Sequence, residues 1–114
     1  MALLDALLNI GATAMGNAAT HLALHSADPG ATGLNPTTAA RVAAGWGAPA
    51  NGDLTISNKA FTGGAANGSV THVGFWSAAT GGTFYGSQSI TGDLTFNSAG
   101  EYTITSLAVN GSST

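Results

Sequence analysis

Two alternating, apolar segments, each closed by turn residues, limit what this chain can fold into. The first runs from His21 to Gly33 and contains Asp28-Pro29-Gly30, whereas the second runs from Val70 to Phe84 and contains Gly81-Gly82. Successive side chains of a strand point to opposite faces, so this alternation predicts β-strands. Proline presets the backbone of a turn and glycine accepts a positive φ. Short strands joined by turns are therefore expected.

Similar short runs recur along the rest of the chain. We place strands at residues 19–26, 41–46, 54–57, 59–62, 69–77, 83–87, 94–96 and 101–109. Six to eight short strands at this spacing are typical of an all-β sandwich or barrel. A chain of 114 residues is long enough for one domain with a sizeable core. We predict a single-domain β-sandwich, jelly-roll or immunoglobulin-like, with a short N-terminal helix.

The alternation also predicts which side chains share a face. In the first strand, Leu22 and Leu24 lie on one face, and His21 and His25 lie on the other. In the last strand, Tyr102, Ile104 and Ser106 are expected to face one way. The strand at 69–77 carries large apolar groups on both faces, which favours burial on both sides. Gly74 inside it indicates a bulge or a close backbone approach.

Leucine spacing near the N-terminus predicts a short helix over residues 2–9, ended by Gly11, with a linker at 12–17. The chain is thus divided into a helix and linker arm at 1–17 and a β-sandwich at 18–114. A helix of about two turns is unstable alone, so it must dock on its own domain or on a neighbouring subunit. The candidate assembly contacts are Leu3, Leu4, Leu7, Leu8 and Ile10.

Charged residues are scarce. Only Arg41 and Lys59 are basic, against five acidic residues, and the net charge is −3. About a quarter of residues are charged in an average domain, and a free monomer usually keeps more charge for solubility. The surface is therefore either covered by neighbouring molecules or simply polar and neutral. Two basic side chains that lie far apart in the sequence cannot neutralise a row of phosphates, so a nucleic-acid partner is not expected.

Targeting and redox signals are also missing from the sequence. The N-terminus has no basic region and Asp5 interrupts its apolar run, which argues against a signal peptide. No stretch reaches the roughly 18 apolar residues of a membrane span, so no membrane partner is expected. The chain has no cysteine, which excludes disulfides and thiolate metal sites.

No catalytic, cofactor-binding or metal-ligating residue is predicted. Three histidines, His21, His25 and His72, could in principle bind zinc, but residues four apart on a strand are separated by roughly 13 Å. Serine is abundant without a Gly-x-Ser-x-Gly turn. A carboxylate pair drawn from Asp53, Asp93 and Glu101 would also need a sugar groove, for which the chain leaves little room.

Aromatic residues offer one alternative to a purely structural role. Trp46, Trp76 and Tyr85 could form a platform for sugars, together with Phe75 and Phe84. Aromatic residues on strands more often belong to the core. A sugar platform would require these rings to be exposed together.

The two alternating segments resemble a family of small tailed-phage virion proteins, which are labelled tail fibre or minor tail proteins. The resemblance rests on the run from Leu22 to Gly33 and on the Thr-His-Val-Gly-aromatic-Trp strand from Thr71 to Thr83. An Arg-led strand at Arg41 and a Thr- and Ile-rich strand from Glu101 to Val109 also match. The resemblance covers most of residues 19–109 and implies a structural role with no catalytic residues.

Together these features predict a non-enzymatic structural protein of a tailed-phage virion that needs no cofactor. The expected partners are other virion proteins, either the major capsid protein or tail proteins, and further copies in a homo-oligomer. A fibre shaft usually needs long heptads or stacked repeats, and neither is present. The sequence therefore favours a capsid decoration or minor capsid protein. The alternative is a tail fibre or minor tail protein, including one that acts as a host-surface carbohydrate-binding module.

Overall fold

Six strands in two antiparallel sheets form most of the molecule, in a computed structural model that describes residues 5–50 and 52–110. The elements are helix α1 (Asp5–Ala18) and strands β1 (His21–His25), β2 (Val42–Ala43), β3 (Asp53–Phe61), β4 (His72–Trp76), β5 (Phe84–Ser89) and β6 (Tyr102–Asn110). One sheet has the strand order β2-β1-β4-β5, and the other pairs β3 with β6. This arrangement confirms the predicted small β-sandwich of six to eight strands with an N-terminal helix.

The core lies between the two sheets. Leu22 and Leu24 point inward from β1, next to Val73 of β4, and meet Ile56 and Ile104 of the two-stranded sheet. The remaining buried members of this cluster are Ala39, Ala44, Phe61, Val70, Phe96 and Tyr102. Because β1 and β4 alternate, the histidines and Trp76 fall on the other face of the four-stranded sheet, which confirms the prediction for His21 and His25.

The helix is longer than predicted, and the expected linker is wrong. Residues 12–17 are helical, and α1 continues through Gly11 to Ala18. Ala12 is fully buried, and the Cα of Gly16 lies against Trp46 and Leu54 so closely that an added Cβ would be 3.1 Å from the indole ring. Packing on the sheet therefore outweighs the low helix propensity of two glycines.

The prediction that Ser106 shares a face with Tyr102 and Ile104 is wrong, because the alternation of buried and exposed side chains along β6 shifts by one residue. Tyr102 and Ile104 are buried, but Ser106 is exposed and the next half-buried positions are Leu107 and Val109. The shift occurs opposite Asn58, which has a φ of 53° in β3. Asparagine tolerates this left-handed conformation. Strict alternation therefore fails at this point of the ladder.

Several predicted strand boundaries also change. The runs at 54–57 and 59–62 form one strand, β3, and the run at 41–46 is reduced to the two residues of β2. Residues 94–96 contribute only an isolated bridge between Ser69 and Thr95. The three-residue run is too short for a strand because its neighbouring chain turns at Asp93, whose carboxylate accepts a hydrogen bond from the Thr95 N–H at 3.2 Å.

Candidate functional site

The outer face of α1 carries exposed apolar side chains that were predicted as assembly contacts. Leu7 is 54 % exposed and Ile10 is 67 % exposed. They lie three residues apart on the helix, so they share one face. We call Leu7 and Ile10 the helix stripe. Leu3 and Leu4, which belong to the same prediction, lie outside the described residues.

The opposite face of α1 is held on the sandwich. Leu8 is half-buried and contacts Gly52, where an added Cβ would be 2.7 Å from the Leu8 Cβ. The Gly52 N–H donates a hydrogen bond of 2.8 Å to Oδ1 of Asn9. Of the predicted contacts that the structure describes, Leu8 therefore packs inside the domain, while Leu7 and Ile10 face outward.

An apolar groove runs beside the C-terminal end of α1. Trp46, Phe75, Tyr85 and Met15 line it, and its volume is about 410 Å³. The ring centroids of Trp46 and Phe75 are 6.1 Å apart, and the Trp46 Nε1–H donates to the Ala19 carbonyl at 2.9 Å. The structure therefore brings two of the three predicted sugar-platform rings, Trp46 and Tyr85, to one groove. Trp76 lies on the opposite face of the four-stranded sheet.

The two alternating segments meet on that opposite face, at His25. β1 pairs antiparallel with β4, so His25 lies directly across from His72, and Trp76 lies across from His21. The His25 and Trp76 rings are parallel within 6° with centroids 6.3 Å apart. Phe84 meets both rings, at 6.0 Å from His25 and 5.1 Å from Trp76. We call His25, Trp76 and Phe84 the aromatic cluster.

Hydrogen bonding determines the protonation of His25. Its Nδ1 lies 2.8 Å from the carbonyl oxygen of Leu34, which can only accept, so Nδ1 carries the hydrogen. In the neutral ring Nε2 then accepts from the Trp76 Nε1–H, at a long distance of 3.4 Å. A proton on Nε2 would place two donors face to face. The neutral tautomer is therefore the one that fits.

The surroundings of His25 also disfavour its charged form. Burial is the largest cause that lowers the pKa of His25 below its ordinary value of 6.5, and the positive charges of Arg41 and His72 lower it further. The hydrogen bond to Leu34 acts in the opposite direction but does not compensate. His25, which is fully buried, is thus a neutral part of the packing.

Arg41 lies over one face of the Trp76 indole. Its guanidinium carbon lies 3.8 Å from the centroid of the Trp76 ring, within the range of a cation–π interaction. Its Nη1 donates to the carbonyls of Ala78 at 2.9 Å and Gly81 at 2.7 Å. One of the two basic residues therefore fixes the turn between β4 and β5 on the aromatic cluster. Nothing in the spacing of Arg41 and Trp76 along the sequence indicates this contact.

The three histidines share one face of the sheet, but their nitrogens are occupied separately. His21 Nδ1 bonds to Thr20 Oγ1 at 2.9 Å, and His72 Nδ1 bonds to Thr71 Oγ1 at 2.8 Å. Both nitrogens of His25 are engaged within the protein. In residues 5–50 and 52–110 no group of three or more potential ligand side chains is positioned to hold a metal ion.

The carboxylates considered as an acid–base pair serve local turns. Asp93 and Glu101 line one shallow cavity of about 350 Å³, whereas Asp53 lies at the other end of β3. The Asp93 carboxylate accepts from Thr95, and Glu101 Oε1 accepts from Asn97 Nδ2 at 3.3 Å. The structure therefore assigns both residues to holding the backbone around residues 93–101.

No helix in the described part of the chain is long and apolar enough to cross a membrane.

Comparison with known proteins supplies the family. The family model for the podophage GP4 fiber I protein gp80 matches residues 1–112 of this chain. No curated protein and no solved structure matches it significantly. The family match confirms a tailed-phage virion protein and thus a structural component of the phage particle. That the two alternating segments are characteristic motifs of such proteins stays a prediction. Since the matched region spans nearly all of its 114 residues, the chain belongs to the podophage GP4 fiber I protein gp80 family.

Proposed function

We propose that this chain is a non-enzymatic subunit of the tail fibre, attached to a neighbouring virion protein through the helix stripe. The observation that carries the proposal is the exposure of Leu7 and Ile10 on a helix whose other face is fixed to the domain. Burying an aliphatic side chain contributes about 1.5–3 kcal/mol. Two such side chains on one face are therefore an economical attachment point for a small subunit.

The rest of the site supports a rigid structural role. His25 is neutral, fully buried and bonded through both nitrogens, so it has no free lone pair for proton transfer or metal binding. Arg41 is engaged with the β4–β5 turn. Both side chains hold loops against the sheet. The family description, which names a fibre protein, favours the tail.

A capsid decoration or minor capsid protein is the second candidate. Favouring it, the sequence has neither the long heptads nor the stacked repeats of a fibre shaft. A host-surface sugar-binding role draws support from Trp46 and Tyr85 in one groove. That groove is mostly apolar, however, whereas a sugar site needs several placed polar groups. We therefore rank sugar binding below attachment.

Labelling intact virions with gold-coupled antibody against this protein separates the two locations. We expect label at the tail, at the fibres. Label spread over the head would contradict the fibre proposal and support capsid decoration. A second antibody against the major capsid protein serves as the positive control for access to the head surface.

Removing the apolar character of the helix stripe should abolish incorporation into particles. We expect the double variant Leu7→Ser with Ile10→Ser to lose about 3 kcal/mol or more of attachment free energy, a weakening of more than about a hundredfold. Its own stability should change by about 0.5 kcal/mol at most, because both side chains are exposed. Immunoblotting of purified virions from a complemented deletion phage measures incorporation.

Leu34→Ser is the matched control, because Leu34 is a similarly exposed leucine, at 59 %, that lies outside α1 in the connection between β1 and β2. It should be incorporated like the unmodified chain. Normal incorporation of the double variant would show that attachment uses another surface.

A further inference from the structure

Most of the exposed large apolar side chains lie on one side of the molecule. In the part of the chain that the structure describes, these side chains are Leu7, Ile10, Met15, Leu34, Tyr85 and Leu94. Four of these six belong either to the helix stripe or to the apolar groove beside α1. Leu34 and Leu94 lie elsewhere, in connections between strands. A contiguous apolar surface on a small protein marks an interaction site.

The helix α1 connects the stripe to the groove. One of its faces is formed, at intervals of four, three and four residues, by Leu7, Gly11, Ala14 and Ala18. Gly11 and Ala14 are exposed, and Ala18 lines the groove. This face is about 16 Å long at a rise of about 1.5 Å per residue. The helix stripe and the apolar groove are therefore two ends of one apolar surface.

The apolar groove is preformed. The Trp46 ring in its wall is fixed by the hydrogen bond of 2.9 Å from its Nε1–H to the Ala19 carbonyl. Tyr85 is the extra residue of β5 relative to β4, and its side chain is 55 % exposed. Bulges of this kind redirect side chains. The volume of about 410 Å³ lies in the range of pockets that hold a bound group.

This surface carries no charge. Residues 6–18 contain no charged residue, and none of the described residues that line the groove is charged. A charged side chain of a partner would be buried here without a counter-ion, at a high cost in free energy. The complementary surface of the partner is therefore apolar and neutral.

We infer that a helix of the neighbouring virion protein lies along α1 and places a large apolar side chain in the apolar groove, an inference that rests on the proposed attachment. In the middle of α1 the backbone N–H and C=O groups are bonded within the helix, so an added strand would find no free groups there. Contact must instead be made by side chains.

The surface of α1 suits a second helix. An added Cβ on Gly11 would have no other atom within 4 Å, so the backbone is open to close approach there. Gly11 and Ala14 leave a shallow depression into which a ridge of side chains on another helix fits. A stable interface buries about 800 Å² on each partner, which the two side chains of the helix stripe cannot supply alone. The groove adds a pocket for a buried anchor, the feature that dominates binding energy in many interfaces.

A positive charge in the middle of this surface tests the inference. Ala14→Lys should reduce incorporation into virions at least about tenfold, because the ammonium group would be buried without a partner. Thr13→Lys is the matched control, since Thr13 is exposed on the same helix but lies about 100° around its axis from Ala14. It should be incorporated like the unmodified chain.

A change in the groove itself should have the same consequence. Tyr85→Ala removes a ring from the groove and should also reduce incorporation at least about tenfold. Immunoblotting of purified virions measures incorporation of each variant. Thermal unfolding of the purified chains verifies that the variants fold.

Thiol accessibility provides a second measurement, because the chain has no cysteine of its own. Met15→Cys places a thiol in the groove, and Leu34→Cys places one in the exposed connection between β1 and β2. Both should react with a maleimide in the purified chain. In intact virions the thiol at position 15 should react at least about tenfold more slowly, because the interface excludes water, whereas the thiol at position 34 should react as before.

Normal incorporation of Ala14→Lys and Tyr85→Ala, or a thiol at position 15 that reacts equally fast in virions and in the purified chain, would overturn the inference. If the Leu7→Ser and Ile10→Ser variant is still lost from virions in that case, the proposed attachment stands; if it is incorporated as well, both fail. Protection of position 15 in the concentrated purified chain would show that a second copy covers the groove, which also contradicts the inference.

Discussion

Replacing His25 with alanine should lower the free energy of unfolding by about 3 to 4 kcal/mol, with a fall in Tm of roughly 15 °C. The ring is fully buried between Trp76 and Phe84, so its removal leaves a cavity. The Leu34 carbonyl and the Trp76 N–H also lose their partner. Chemical denaturation followed by tryptophan fluorescence measures the change.

His72→Ala is the matched control for this substitution. His72 lies directly across the ladder from His25 but is only half-buried, and its Nδ1 bonds to the neighbouring Thr71 hydroxyl. We expect it to cost less than about 1 kcal/mol. Equal losses in the two variants would show that the aromatic cluster contributes nothing beyond strand propensity.

The pH dependence of stability gives an independent check on the state of His25. Its pKa in the folded protein is lowered below 6.5, mainly by burial and then by Arg41 and His72. Between the two pKa values the unfolded chain binds more protons, so stability increases with pH in that window. This stability is complete above pH 6.5 and is lost as the pH falls toward the folded-state pKa. In the His25→Ala variant this contribution should disappear.

The sequence correctly predicts the features of this fold that depend on local backbone geometry. Alternation correctly assigns Leu22 and Leu24 to the core face and His21 and His25 to the other, because the period of a strand depends only on the backbone. Gly74 correctly indicates a close approach. The group that approaches Gly74 is the His25 ring, and the bulge lies in the neighbouring strand β5, at Tyr85.

Features that depend on contacts between distant segments are the ones that sequence patterns miss. The helix extends past Gly11 and Gly16 because Trp46 and Leu54 provide a surface for it. Ser106 leaves the core face because of Asn58 on the paired strand. No local pattern contains either partner, so neither the length of α1 nor the phase of β6 follows from the period of its own residues.

The same limit applies to the candidate site. The sequence predicts Leu7 and Ile10 among five candidate assembly contacts, without indicating which of them face outward, and in the structure both side chains are exposed. Leu8 satisfies the same pattern yet is half-buried against Gly52. Which side of an amphipathic helix meets its own domain is decided by the surface on which it docks.

Gly74→Ala should destabilise the protein by about 2 kcal/mol, although alanine is normally the better residue in ordered backbone. Restricting the unfolded chain would stabilise by about 0.4–1 kcal/mol. Against this, the new Cβ would overlap Nε2 of His25 and lie 2.8 Å from its Cδ2 and 3.1 Å from the Trp76 Nε1. The His25 ring cannot move away from the new Cβ, because its Nδ1 is hydrogen-bonded to the Leu34 carbonyl and the Phe84 ring packs against it. Overpacking of this kind costs about 1–3 kcal/mol.

A double-mutant cycle ties this cost to His25. In the His25→Ala background the space beside residue 74 is vacant, so Gly74→Ala should cost nothing and can even stabilise, which makes the two substitutions strongly non-additive. Gly11→Ala is the matched control: it lies on the exposed face of α1 with no other atom within 4 Å of its added Cβ, and it should stabilise by up to about 1 kcal/mol. Simple additivity of Gly74→Ala and His25→Ala would mean that the clash at His25 is not what makes glycine necessary in β4.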